Sequence, residues 1–310
     1  MQLPFVIGIM FALRMTHMFR KLILISITLV ALVAFGACST DGELQKTLLI
    51  GGIPDQDVSR LEERFGSVSE YLSDELGIDV RYVPVTDYSS LVVAFKNGDV
   101  MLGWFGGLAG VQARSFSSGS EMLVQRPRDK TFTSVFIAHS SVTANSLEDI
   151  KGTRFTFGST NSTSGHLMPR SFLLEANIDP EKDFDGVPSF SGSHDLTWKL
   201  VESGSFETGV LNSAVWNRAL SDGNVDESHV RVVFETDSFV DYHWLAHPDI
   251  DEIWGEATTQ HITDAFLGIT DDDELGRTIL DLFETDSFVS ADSSDYSDIE
   301  DVARSLNMLQ

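Results

Sequence analysis

Residues 47–85 read TLLIGGIPDQDVSRLEERFGSVSEYLSDELGIDVRYVPV, and three patterns follow one another within them. Residues 47–53 are a strand-like apolar run. Val58, Leu61, Phe65, Val68, Leu72 and Leu76 then recur at three- and four-residue spacing, the apolar stripe of a helix. Residues 78–85 return to strand. Strand, helix, strand predicts a βαβ unit, and with it an α/β fold. The pattern continues downstream: Asp87 suits the N-cap of a helix running through Phe95, Asn97-Gly98 stops it, and residues 100–105 form the next strand. Further strand-like runs occupy residues 122–125, 134–138, 154–157, 209–211 and 230–234. These are too many for one tidy sheet. The expectation is two α/β lobes, each a mostly parallel sheet flanked by helices, with residues 47–130 and 240–310 in one and 131–239 in the other. The chain then crosses between them near 127–133 and 235–241.

The N-terminal region has a different character. Its first 37 residues hold Arg14, Arg20 and Lys21 and no acid. From Met18 the chain reads MFRKLILISITLVALVAFGACS, a basic start, an apolar run and small residues before a cysteine, which is the layout of an export signal. A retained membrane helix is the weaker reading, because the run is short for a span and leads into a cleavage pattern. Met18 begins a complete signal by itself, which leaves open whether residues 1–17 belong to the protein. Phe35-Gly36-Ala37-Cys38 resembles a bacterial lipobox, with phenylalanine where leucine is usual. It implies lipidation of Cys38 and a tether over residues 38–46, at the periplasmic or cell-surface side of a membrane.

Cys38 is the only cysteine, so the exported part has neither a disulfide nor a cysteine-based metal site. The chain carries 21 Lys and Arg against 47 Asp and Glu, a formal net charge of −26. Removing the three basic residues ahead of Cys38 takes this to −26 − 3 = −29. Nucleic acid and anionic lipid surfaces are poor partners for such a chain, and contact with the membrane is expected through the lipid anchor only. The acidic excess suits a saline medium that screens self-repulsion. One heptapeptide, FETDSFV, occurs at 234–240 and again at 283–289. Its flanks disagree, one strand-like and one helical, so it reads as coincidence and not as an architectural repeat.

The candidate site begins at residues 157–169, FGSTNSTSGHLMP. Ser162, Thr163, Ser164 and Gly165 lie between a strand end and a helix with Pro169 in its early part. Free N–H groups and the positive dipole end of a first helical turn, joined by hydroxyls, can cradle an anion. A plain Ser or Thr cap is the bland alternative. The stretch is not a P-loop, lacking the lysine and the glycine spacing, and it is not a nucleophile elbow.

With TDYSS at 86–90, GWFGG at 103–107 and SGSHD at 191–195, this stretch resembles the phosphate, phosphite and phosphonate substrate-binding proteins of ABC transporters, nearest the branch named for selenate binding. The resemblance runs from about Leu48 to the C-terminal region. It implies a periplasmic-binding-protein fold whose two lobes close on a small oxyanion, working with an ABC permease and its ATPase, as a monomer and without a cofactor or metal. It further implies that Ser162, Thr163 and Ser164 grip the oxyanion, with Tyr88, His194 and Asp241 beside them. A carboxylate next to an anion is repulsive unless the anion brings a proton. Asp241 therefore favours monoprotonated phosphite or phosphonate over sulfate and selenate. Val215 stands where aminoethylphosphonate binders carry a glutamate, and Phe105 where the family often has tyrosine; both changes suit a smaller, drier pocket. Trp104 and Phe105 read either as ligand wall or as core, and Asp55, with Gln56, as site residue or helix cap. A Ser–His194–Asp241 hydrolase is the competing class, and triads are recognised by geometry. A ligand-sensing component and a selenate- or sulfate-type binder remain as alternatives of the binding class.

Overall fold

The structure, a computed structural model, describes residues 46–309. The export signal, Cys38 and the tether through residue 45 lie outside the described residues. From β1 (Leu48–Gly52) the chain runs through α1 (Val58–Leu76), β2 (Val80–Tyr82), α2 (Tyr88–Lys96), β3 (Leu102–Phe105), α3 (Gly107–Phe116), β4 (Glu121–Met122) and β5 (Val124–Gln125). It then builds a second sheet through β6 (Ser134–His139), β7 (Phe155–Phe157), α4 (Met168–Glu175), β8 (Ser189–Phe190), α5 (His194–Glu202), β9 (Thr208–Asn212), α6 (Ser213–Ser221) and β10 (Val230–Glu235). Back in the first half follow β11 (His243–Ala246), α7 (Ile250–Trp254), α8 (Thr258–Leu267), α9 (Glu274–Phe283), β12 (Val289–Ser290) and α10 (Ser297–Ser305).

Local chemistry accounts for the expected elements. Leu61, Phe65, Val68 and Leu72 bury one face of α1, which ends at Gly77 in the left-handed region, φ +66°. Val58, counted in the stripe, instead lies exposed. Asp87 caps α2 by accepting the Ser90 N–H at 2.7 Å. Asp55 does not cap α1: the N-cap of that helix is Asp57, which makes no side-chain cap bond.

Two five-stranded sheets result, in the orders β2-β1-β3-β11-β4 and β10-β6-β9-β7-β8. They are mixed, where mostly parallel sheets were expected. β1 pairs in parallel with β2 and β3, and β7 with β8 and β9. Every antiparallel pairing in them involves β6 or β11. These two strands are entered directly from a segment crossing between the sheets. Without a helical crossover, nothing imposes the parallel direction. β11 was not foreseen as a strand, since His-Trp-Leu-Ala carries no alternation; all four residues are buried, as befits a strand covered on both faces.

The crossing segments lie side by side, joined by the antiparallel Phe132–Phe239 bridge with N···O distances of 2.7 and 2.8 Å. One apolar core fills the first half and two smaller ones cover the faces of the second sheet. Leu167 and Met168, which follow β7, pack into the first core, so the seam between the halves is itself buried. The two copies of FETDSFV adopt different structures: Phe234 and Glu235 end a strand, while Phe283 ends a helix and Glu284 takes φ +52°.

Candidate functional site

β7 delivers the chain to Ser162, whose hydroxyl accepts the Gly165 N–H at 2.9 Å. The cap reading is thus correct for Ser162. The turn it opens, Thr163–Leu167, is wider than an α-helix: Leu167 N–H reaches Ser162 O, five residues back, at 3.0 Å. Pro169, in the first turn of α4, has no N–H to satisfy. The other two hydroxyls point elsewhere. Thr163 Oγ1 accepts the Leu108 N–H, at 2.9 Å, from the start of α3 in the other half. Ser164 is held by its carbonyl, which accepts from Ser134 Oγ at 2.7 Å, and its own buried hydroxyl has no partner among the described residues.

Asp241, between the second crossing and β11, sends Oδ1 to the Gly107 N–H at 2.9 Å. A Cβ on Gly106 would stand 3.0 Å from this oxygen and 3.3 Å from Thr163 Oγ1, so glycine at the N-cap of α3 is what lets both side chains reach the helix end. Asp241 Oδ2 is buried without a partner among the described residues. Burial pushes this carboxyl up to about 7; the Gly107 N–H and the nearby hydroxyls of Thr163 and Ser164 oppose the rise, and Asp129 adds to it. Neither hydroxyl makes a hydrogen bond of ordinary geometry to Oδ2.

His194 opens α5. Its Nδ1 accepts the Asn212 N–H at 3.3 Å, which assigns the ring proton to Nε2, a buried atom with no partner among the described residues. Burial, opposed by Asp55, lowers this imidazole to about 4, so it is neutral and a donor at Nε2 near pH 7. The Tyr88 hydroxyl is also unpartnered; burial first, then the negative Asp55 and Asp241, hold its ionisation well above the ordinary value. Ser162 pulls slightly the other way, although no hydrogen bond of ordinary geometry joins it to Tyr88. Asp55 receives the Tyr242 hydroxyl on Oδ2 at 3.0 Å and keeps Oδ1 free.

These groups lie close to one another. Tyr88 feels both Asp55 and Asp241, Asp241 feels Thr163 and Ser164, and His194 Cε1 lies 3.1 Å from where a Cβ on Gly165 would stand. The facing atoms are excluded from solvent, and the seam-side cavities of about 460 and 450 Å³ beside Arg218 are lined by other residues. Together the facing atoms offer donors from Tyr88, Ser164 and His194 and acceptors from Asp241 and Asp55. Such a set matches a small polyatomic anion that carries a proton. It does not form a triad: His194 Nδ1 is engaged by a backbone N–H, Nε2 already bears the proton, and Asp241 binds Gly107 instead of the imidazole.

Trp104 and Phe105 are packed as core. Trp104 stacks on Tyr242 at 5.6 Å and meets Phe283 edge-on at 5.1 Å, while Phe105 lies edge-on to Phe95 at 5.5 Å with its ring covering Gly103. Three polar residues passed over as site members, Gln56, Tyr242 and Asn212, are buried beside these groups. Their only signal in the sequence is polarity at the ends of apolar runs.

Residues 50–296 match the family described as ABC transporter, phosphonate, periplasmic substrate-binding protein. The chain belongs to this family. Among its relatives is the probable ABC transporter phosphite binding protein PhnD1 of Prochlorococcus marinus, 41% identical over 272 residues, which cover 86% of this chain and 91% of that one. The structure of PhnD1 in complex with methylphosphonate superposes with a TM-score of 0.83 at 40% identity, covering 86% of this chain and all of the other. A binding protein component of an ABC phosphonate transporter from Pseudomonas aeruginosa, 19% identical, shares the fold at a TM-score of 0.73 over 83% and 85% of the two chains. In this binding protein Thr163 of the STS turn and Asp241 meet at the start of α3.

Proposed function

We propose that this binding protein captures phosphite or a short alkylphosphonate between its two sheet halves and delivers it, unreacted, to an ABC permease and its ATPase. The observation that carries the reading is the cluster of buried polar atoms without a partner among the described residues, Tyr88 OH, Ser164 Oγ, His194 Nε2, Asp241 Oδ2 and Asp55 Oδ1. Leaving so many buried polar atoms unpaired is costly, and a tetrahedral oxyanion with one proton pairs donors and acceptors together. The names of the Prochlorococcus relative and of its methylphosphonate complex support the same ligand class. In this reading residues 47–130 with 240–310, and 131–239, are the closing lobes, and the segments joined at Phe132–Phe239 are the hinges. The protein acts as a monomer, held to the membrane by a lipid on Cys38.

Calorimetric titration of residues 39–310, freed of co-purified ligand, with phosphite, methylphosphonate, aminoethylphosphonate, phosphate, sulfate and selenate tests the proposal. Phosphite or methylphosphonate is expected to bind tightest, and sulfate and selenate weakly, since neither has a proton to share with Asp241 at neutral pH. A preference for sulfate or selenate would sink the phosphorus reading.

A further inference from the structure

Behind the atoms that face the ligand space, four buried residues close a hydrogen-bonded circuit across the seam. Tyr242 OH donates to Asp55 Oδ2 at 3.0 Å, and Asn212 Nδ2 donates to the same phenol oxygen at 2.9 Å. The Asn212 backbone N–H donates to His194 Nδ1 at 3.3 Å, and the His194 backbone N–H donates to the Asp55 carbonyl at 3.1 Å, which completes the ring. Asp55 and Tyr242 belong to the first half, Asn212 and His194 to the second. None is more than 2% exposed.

The circuit has little slack. The phenol oxygen both donates and accepts, and the remaining Asn212 oxygen caps α6 by accepting the Val215 N–H at 2.9 Å. Only Asp55 Oδ1 and His194 Nε2 are left over, and both border the ligand space. The start of α5, like any helix start, has N–H groups in need of acceptors. Ser193 serves Leu196 from within the same half, but the His194 N–H is served by Asp55 from the other. The 55–57 loop donates a bond in return, from its Asp57 N–H to Asp195 Oδ2 at 2.9 Å. The helix that presents His194 therefore begins on a loop of the opposite half, and the Tyr242 hydroxyl pins that loop by its carboxylate.

We infer that Tyr242, Asn212 and Asp55 are positioning residues: Asn212 orients the His194 ring from within its own half, and the bonds to Tyr242 and Asp55 lock that pair to the first half when the halves meet, so that closure completes the grip on the anion. The inference rests on the capture function proposed above. The Tyr242 hydroxyl and the Asn212 amide are taken up by protein partners, so in this reading each acts through its neighbours in the circuit.

Two variants test it. Tyr242→Phe removes one oxygen and keeps the ring's stack on Trp104 and its contact with the Arg126 guanidinium, 5.0 Å away. Asn212→Ser removes the amide donor and keeps a residue type that caps a helix well. Stopped-flow tryptophan fluorescence with phosphite and with methylphosphonate separates association from dissociation. Losing one or two such hydrogen bonds is expected to speed dissociation about tenfold in each variant, with association within about twofold of wild type. The double variant should be no worse than the weaker single one, because the circuit fails as a unit. The ligand-free melting temperature should stay near that of wild type, which a merely structural role would not allow. Unchanged dissociation in both variants, or additive effects, overturns the circuit's role. A wild-type protein that binds neither anion overturns the capture function itself.

Discussion

Asp241 has two jobs that pull its chemistry in opposite directions. One oxygen is fixed on the N-terminus of α3 through Gly107, which favours the charged form, while burial favours the neutral form and prevails, pushing the group up to about 7. A carboxyl whose folded-state pKa is raised above its unfolded value contributes stability that is fully present below the unfolded pKa and lost as pH rises through the folded one. For Asp241 that window runs from about pH 4 to about pH 7. The ligand-free protein should therefore lose on the order of a few kcal/mol across it from this group. Asp241→Asn, which keeps an oxygen for the Gly107 N–H, should remove this loss: its ligand-free melting temperature at pH 8 should exceed that of wild type, and the two should converge near pH 4. The same substitution should weaken phosphite binding about 10- to 100-fold, the range for losing a charge-assisted hydrogen bond, and ease the rejection of sulfate. Melting curves at pH 4 and 8 beside titrations at pH 7 check both halves. A variant less stable than wild type at pH 8 would show that burial does not dominate at this carboxylate.

At the scale of elements, patterns confined to a short window were legible and contacts between distant segments were not. The α1 stripe, the Asp87 cap and the Asn97-Gly98 stop follow from a few neighbouring residues. So does the cap at Ser162, although the five-residue hydrogen bond that widens the next turn left no mark in its composition. β11 is the contrary case, because burial on both faces and entry from the other sheet erased its alternation and freed its direction. In the candidate site the hydroxyl run and the family motifs pointed to Ser162–Ser164, Tyr88, His194 and Asp241. Tyr242 and Asn212 work through partners 187 and 18 residues away, which no local pattern records. Trp104 and Phe105 were ambiguous because an aromatic at a strand end reads alike as core and as ligand wall. β11 also explains one glycine. A Cβ on Gly110 of α3 would stand 2.3 Å from the His243 ring, which is backed by Tyr296 at 4.7 Å and has no room to retreat. Gly110→Ala should thus destabilise the protein by about 1–3 kcal/mol, outweighing alanine's better helix propensity. Thermal unfolding should show a fall of at least a few degrees; an unchanged or higher melting temperature would mean that α3 can shift off β11 freely.

For the whole molecule, the difficulty is that a chain with a net charge of −26 must collect an anion. At about 0.01 M ionic strength the Debye length is about 30 Å, so the summed acidic field extends well beyond the surface and opposes approach; at 0.15 M it shrinks to about 8 Å and only nearby charges matter. The charges along the seam are instead balanced. Arg60, Arg128 and Arg218 converge on Glu284 at 3.0, 3.3 and 2.7 Å, and with Lys199 they offset Glu284, Asp57, Asp195 and Asp222. Screening should therefore remove the long-range repulsion and leave little local field against the anion. The association rate for phosphite, measured by stopped flow, should rise several-fold between about 10 and 150 mM salt and then level off, while the dissociation rate, set inside an enclosed and largely unscreened site, should change little. An association rate that falls steadily with salt would mean that the seam arginines govern the approach at every distance, and that the acidic surface serves solubility without touching capture.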